Sequence, residues 1–292
     1  MPETMAPNIG MLPQPQLLPG IFLDVADLLD LGSAAERWMI AGVKFTPRTV
    51  ETPLQAAGIG DCAGGVPLEP AARPLCLPAV SQNPFTLVDL VEMKALELMA
   101  FGGEEDVDSE ALDRFRHLVS AAFASELISG TASGGISLSN SATAPAGLAF
   151  GTAAALTAAL ALLEAELATR LLNSRGVIHL PPVLLSQAIE GYSLTFVDGH
   201  WTTPLGNIVI VDAGYAAAPQ PTGGGDAAGA TEVWVYASGP VHYRLIDGKL
   251  NARDTSSFAF ATNDITRWTQ GYGLIVFEPS LVTAAQVLQV PA

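Results

Sequence analysis

Lysine is nearly missing from this chain: Lys44, Lys94 and Lys249 are the only three in 292 residues. With arginine the basic side chains number 13, against 29 aspartates and glutamates, for a formal net charge of −16. A protein that grips nucleic acid needs clustered lysine and arginine to displace the counterions of the phosphates. No basic run occurs here, and an acidic surface repels DNA. This argues against specific nucleic-acid binding, whereas a wall that encloses DNA without adhering to it remains compatible.

Charge of either sign is scarce as well. Charged residues are 14% of the chain, where about a quarter is ordinary for a soluble domain. Apolar residues make up 49%, enough for a sizeable core and too many for global disorder. So little charge leaves much of the surface needing another cover, and burial against further copies of the same chain is the simplest one.

The two cysteines, Cys62 and Cys76, cannot form a disulfide framework and lack any CxxC or Cys/His spacing. They read as reduced thiols of a cytoplasmic product. His117, His179, His200 and His242 show no metal spacing either. The serine-rich stretch 131–147, TASGGISLSNSATAPAG, contains no GxSxG and reads as a turn region rather than a nucleophile loop. GGGD at 223–226 is no phosphate cradle, because no lysine follows and no helix opens after it. No catalytic, cofactor-binding or metal-binding residue is therefore expected. The opening residues, MPETMAPNIGMLPQPQ, have neither the basic nor the apolar region of a signal peptide. The uncharged run Ala146–Leu163 only reaches the edge of membrane-span length, is rich in Ala, Gly and Thr, and is followed by Glu164 and Glu166. A packed soluble helix is expected there.

The strongest positive signal is Asp106 to Gly130, DVDSEALDRFRHLVSAAFASELISG. Leu112, Phe115, Val119, Ala122, Phe123 and Leu127 recur every three or four residues and line one side of a helix. Asp106, Asp108 and Glu110 suit its positive N-terminal end, and Gly130 stops it. Arg116 and Glu126 fall within the apolar stripe, need partners there, and have none visible nearby in sequence. A second helix is expected within 147–172, with Leu156, Leu160, Leu163, Leu167 and Leu171 as its stripe and Glu166 four residues before Arg170.

Around these helices the chain reads as strands. Residues 37–50 are strand-like, and Pro84–Glu92 alternates, with Phe85, Leu87 and Asp89 on one side and Thr86, Val88 and Leu90 on the other. Between them, 51–84 holds six prolines, Gly58, Gly60, Gly64 and Gly65, and few charges. That suits a projecting loop whose flanking strands form a stem. A buried strand with His179 in its interior breaks at Pro181-Pro182 into a helix. Further strands lie in Thr203–Ala213, on either side of Ser238-Gly239-Pro240, and on either side of Glu278-Pro279-Ser280. Strands, a long helix, a helix and strands again make an α+β order rather than regular βαβ alternation.

Several short stretches, in order, resemble the major capsid proteins of tailed phages, in particular a group from phages of actinobacteria. They are Asn83-Pro84-Phe85-Thr86, Glu126-Leu127-Ile128-Ser129-Gly130, Arg175-Gly176-Val177-Ile178-His179 and Thr203-Pro204-Leu205-Gly206-Asn207. Gly214-Tyr215, Trp234 through Val241, and Asn263-Asp264 follow. The resemblance covers roughly residues 36 to 290. It departs at Glu92-Met93-Lys94, where such relatives often carry a cysteine, and at Trp268-Thr269-Gln270, where they carry Ala-Glu-Arg.

The resemblance implies a Hong Kong 97-type capsid fold. Residues 1–45 would be an N-terminal arm and 46–92 the extended loop with its strands. Residues 93–145 would form a peripheral domain with the spine helix, 146–245 an axial domain, and 246–292 a return to the peripheral domain. The implied function is non-enzymatic: self-assembly into pentamers and hexamers of an icosahedral shell around double-stranded DNA, in the virion, after assembly in the host cytoplasm. The implied partners are other copies of the chain, with scaffold, portal and cement proteins as further ones, and no membrane. An encapsulin-type compartment is the near alternative and a hydrolase the distant one.

Overall fold

The fold is that of a computed structural model, which describes residues 21–29, 43–45, 80–94, 104–150, 152–171, 174–216, 218–222, 232–250, 258–259 and 264–288. Helix α1 (Phe22–Val25) and strand β1 (Asp27–Leu28) come first. Three strands follow, β2 (Val43–Phe45), β3 (Val80–Gln82) and β4 (Phe85–Lys94). The long helix α2 (Glu104–Ser129) leads into α3 (Leu138–Ser141) and α4 (Leu156–Arg170). Strand β5 (Val177–Leu180) passes through a 3-10 turn into α5 (Leu185–Tyr192), and β6 (Thr195–Val197), β7 (His200–Thr202) and β8 (Ile208–Val211) follow. The chain ends in β9 (Glu232–Ser238), β10 (Val241–Leu250), β11 (Phe258–Ala259), β12 (Asp264–Phe277) and β13 (Thr283–Leu288).

Helix α2 spans the expected stretch because its apolar residues return every third or fourth position. Ala111, Phe115, Val119, Phe123, Ala124, Leu127 and Ile128 are all buried. The two charges expected inside this stripe are settled differently. Arg116 is exposed and pairs with Asp113 one turn earlier at 3.2 Å. Glu126 is buried and is met by the loop immediately after the helix. Both partners are near in sequence, contrary to the expectation.

Two sheets flank α2. In the first, β12 pairs antiparallel with β4, from Phe85↔Gly273 to Lys94↔Asp264, and with β10, from Val241↔Phe277 to Leu250↔Thr269. Short β1 adds to β10 in parallel, and β11 to β12. The alternation along β4 holds through Val88: Phe85 and Leu87 are buried, Thr86 and Val88 exposed.

The second sheet runs β13-β9-β5-β8-β7-β6. Side chains of successive residues point to opposite faces of a strand, and here the two faces serve two cores. Val177, Ile210, Trp234, Tyr236 and Ala284 join the core around α2. Ile178, Leu180, Val209, Val211, Val235, Ala237, Ala285 and Val287 pack instead with Leu156, Leu160, Leu163 and Leu167 of α4. Gly214, in the turn after β8, lies so close to α2 that a Cβ there would sit 2.2 Å from the Ala121 carbonyl oxygen and 2.6 Å from Ser125 N.

One strand expectation meets a different arrangement. A stem does form, but β2 pairs with β3, through Val43↔Gln82, Lys44↔Ser81 and Phe45↔Val80, while Pro84–Glu92 contributes to β4 and pairs with β12. Both strands expected either side of Ser238-Gly239-Pro240 form, and they enter different sheets. After residue 250 the strands serve both sheets: β12 belongs to the first, and β13 pairs with β9 in the second. The 3-10 turn Pro279–Leu281 carries the chain between them. Residues 1–20 of the expected arm, 46–79 of the expected loop with Cys62 and Cys76, and GGGD at 223–226 lie outside the described residues. No helix among the described residues is long and apolar enough to cross a membrane.

Candidate assembly site

Among the described residues no group of three or more His, Cys, Asp and Glu gathers as metal ligands. His179 is fully buried, with Nδ1 2.9 Å from the Tyr215 hydroxyl and Nε2 2.9 Å from Ser238 Oγ. Ser238 Oγ itself donates to the Gly239 carbonyl at 2.8 Å. That network assigns the ring proton to Nε2 and leaves Nδ1 to accept from Tyr215. Burial pushes the His179 pKa down to about 3 and drives that of Tyr215 well above its usual value, with the charge of Asp212 adding to the latter. This histidine is a satisfied core residue, as its place inside an apolar strand suggests. His117, His200 and His242 are half-buried and lie on separate elements, with His242 3.8 Å from Asp27.

What the polar residues build instead are junctions between segments. The first holds the beginning of the described chain. Asp212, at the end of β8, is buried and accepts from Phe22 N at 3.1 Å, Ser120 Oγ at 2.8 Å and Gly214 N at 2.9 Å. Ser120 in turn accepts from Leu23 N at 3.3 Å. Phe22 fills the space beside them, stacked on Phe123 with centroids 5.8 Å apart and edge-on to Tyr243. One carboxylate thus joins residues 22–23, the long helix and the second sheet.

The second junction joins the β2–β3 stem to the C-terminal end of α2. Glu126 accepts from Ala132 N, Ser133 N and Ser133 Oγ at 2.9, 2.8 and 2.6 Å, which folds the loop back under the helix end. Gly130 takes φ +62°, a left-handed conformation that favours glycine as a helix stop. Ser137 caps α3 in a reciprocal capping box with Asn140. Against this loop lies Gln82, 5% exposed. Its Nε2 donates to the Ile136 carbonyl at 2.8 Å and its Oε1 accepts from Ile136 N at 3.2 Å. Asn83 Nδ2 adds a bond to the Ser133 carbonyl at 3.2 Å. Val43 and Phe45 of the same stem pack against the cluster of Leu274 and Val276 in the first sheet.

A third knot ties α4 to the ends of the second sheet's strands. Buried Glu164 accepts from Thr203 Oγ1, from Asn207 Nδ2 at 2.8 Å and from Tyr192 OH at 2.6 Å. Asn207 Oδ1 then accepts from Gly176 N at 2.8 Å. This links two stretches already singled out, Arg175-Gly176 and Thr203–Asn207, through a glutamate that reads in sequence only as the end of an apolar run. Gln82, Ser120, Asp212 and Glu164 were not recognisable as junction residues. For Ser120, Asp212 and Glu164 the one available signal is a lone polar side chain flanked by apolar ones, and Gln82, between Ser81 and Asn83, lacks even that.

No protein-family model matches the chain, and no curated protein matches it. Solved structures do. One from Gordonia phage Cozz aligns with a TM-score of 0.57 at 12% identity, over 99% of this chain and 93% of that one. The capsid of Ralstonia phage GP4 aligns at 0.54 and 13% identity over 99% and 96%. The capsid of an empty GTA particle, computed with C5 symmetry, aligns at 0.53 and 12% identity over 97% and 95%. At such identities the likeness speaks for architecture, and it spans nearly the full length of each partner: the chain has the α+β fold of Hong Kong 97-type capsid proteins.

Proposed function

We propose that this chain is the major capsid protein of a tailed phage, a non-enzymatic subunit that assembles with its own copies into pentamers and hexamers of an icosahedral shell. The shell encloses double-stranded DNA in the virion after assembly in the host cytoplasm. The observation that supports this reading best is the near full-length match to phage capsid structures. The composition agrees with it. A chain with 14% charged residues gains by burying its surface between copies, and repeated contacts in a closed shell make loss of any one subunit rare. A net charge of −16 suits a wall that DNA slides past rather than binds.

Within this reading, 1–45 act as the arm, rooted where Phe22 meets Asp212, and 46–92 as the extended loop rising from the β2–β3 stem. Residues 93–145 with α2 form the peripheral domain and 146–245 the axial domain. The strands after 246 are shared, with β12 on the peripheral side and β13 on the axial side. Scaffold, portal and cement proteins are the further partners such a shell takes. Expression of the full chain, alone and with its neighbouring assembly genes, followed by electron microscopy tests the proposal: closed particles of uniform size are expected. A chain that stays monomeric in light scattering at every concentration, or particles that carry one enzyme instead of DNA, would overturn it.

A further inference from the structure

Gln82 belongs to two structures at once. Its backbone closes the β2–β3 ladder opposite Val43, and its carboxamide pairs with both backbone groups of Ile136, 54 residues later. The carboxamide therefore acts as one extra strand position, joining the stem to the loop beyond α2. That loop is shaped to receive it. Glu126 and the left-handed Gly130 fix its course, and Ser133 Oγ accepts from Gly135 N at 3.1 Å. A Cβ on Gly135 would come within 3.2 Å of Gln82 Oε1.

The stem's other footholds are the single, exposed Asn83–Ser133 bond and an apolar one, Val43 and Phe45 on the first sheet. Apolar contact holds without fixing an angle, since the hydrophobic effect is non-directional. A two-point hydrogen-bonded pair does fix one. We propose that Gln82 is a positioning residue: its pairing with Ile136 sets the angle at which the β2–β3 stem is held to the end of α2, and hence how that stem meets the next copy in the shell. The consequence for assembly rests on the capsid reading; the pairing itself does not.

Two variants of the full chain separate this from a packing role. Gln82→Met keeps the length and loses both polar partners. Gln82→Glu keeps an acceptor for Ile136 N, but its carboxylate faces the Ile136 carbonyl with no proton to give. Once neutral, the acid again donates and accepts, and burial raises the pH at which it becomes neutral. Amide hydrogen exchange on the dissociated subunit is expected to show the 136 amide exchanging about tenfold faster or more in both variants at pH 7, with Leu127 and Ile128 unchanged. Acidification toward pH 5, above the chain's pI of about 4.4, restores protection in Gln82→Glu relative to wild type and not in Gln82→Met. In particles, both variants give a broadened distribution of diameters at pH 7.

Wild-type exchange and wild-type diameters in Gln82→Met would overturn the proposal, as would equal recovery of both variants in acid. If Gln82→Met fails to fold, the pH response of Gln82→Glu decides alone. If the wild-type chain forms no particle, the capsid reading fails while the exchange measurement still judges the pairing.

Discussion

Ser120 Oγ donates to Asp212 Oδ2 across 2.8 Å while accepting from Leu23 N, so a hydroxyl of the long helix hands the second sheet's charge on to the start of the described chain. Two links of that chain end on the same carboxylate oxygen, because Phe22 N also donates to Asp212 Oδ2. Among the described residues a short α1 and a two-residue pairing of β1 hold this segment to the body, so its attachment there depends on the carboxylate more than on a long ladder.

Asp212→Ala is accordingly expected to cost about 2–4 kcal/mol, since it leaves buried donors on Phe22 and Ser120 and a partly buried one on Gly214 without this acceptor. Urea unfolding of the dissociated subunit measures it. Protease sensitivity should rise first near residues 21–29, and unchanged cleavage there would mean that Phe22 packing alone holds the segment.

Gly214→Ala tests the close approach of the second sheet to α2. A methyl group would meet the Ala121 carbonyl oxygen and Ser125 N, both main-chain atoms of a packed helix that cannot swing aside. Overpacking of this kind costs about 3 kcal/mol, or more where backbone must shift. A drop in thermal midpoint of at least several degrees is expected; a variant as stable as wild type would show that the turn can lift off the helix.

The stability of the subunit should also depend on His179 in a defined pH window. Its pKa is about 3 in the folded chain and 6.5 as the ordinary value. Between these limits the unfolded chain binds the proton and the folded chain does not, so folding stability falls as pH falls from about 6.5 toward 3. The contribution is about 2 kcal/mol between pH 7 and pH 5. Comparing urea midpoints of wild type and His179→Gln over that range isolates it from the carboxylates, and a parallel pH slope in the two proteins would refute it.

Much of this architecture was legible from local pattern. The apolar stripes of α2 and α4, and the buried strand around His179, are periodic over enough residues to declare themselves. Pairing was harder to read because it is decided at a distance. Val80–Gln82 is too short to show a period, and its role as the stem's second strand rests on Val43 and Ile136, far away in sequence. The turn at Ser238-Gly239-Pro240 has hairpin chemistry, yet β9 is drawn to β5 and β13 while β10 is drawn to β12. The junction residues were least visible. Asp212 and Glu164 read in sequence only as lone carboxylates ending apolar runs, and the donors gathered in space explain how they can be buried.

Glu126 is the clearest case, because its position contradicts a simple rule. A carboxylate in the last turn of a helix lies beside the negative end of the dipole and should be unfavourable. Here the loop repays that: two backbone N–H groups and the Ser133 hydroxyl point at the carboxylate, and charge-assisted bonds are stronger than neutral ones. The bonds also give partners to the backbone amides of the loop just beyond the helix end. Glu126→Ala is expected to destabilise the subunit by about 2 kcal/mol. It should also open the 131–137 loop to proteolysis before any loss of α2 helicity. Glu126→Gln retains one acceptor oxygen but turns an amide toward the donors, so it should recover less than half of that loss. Full recovery by glutamine would mean that shape, not charge, holds the loop under the helix.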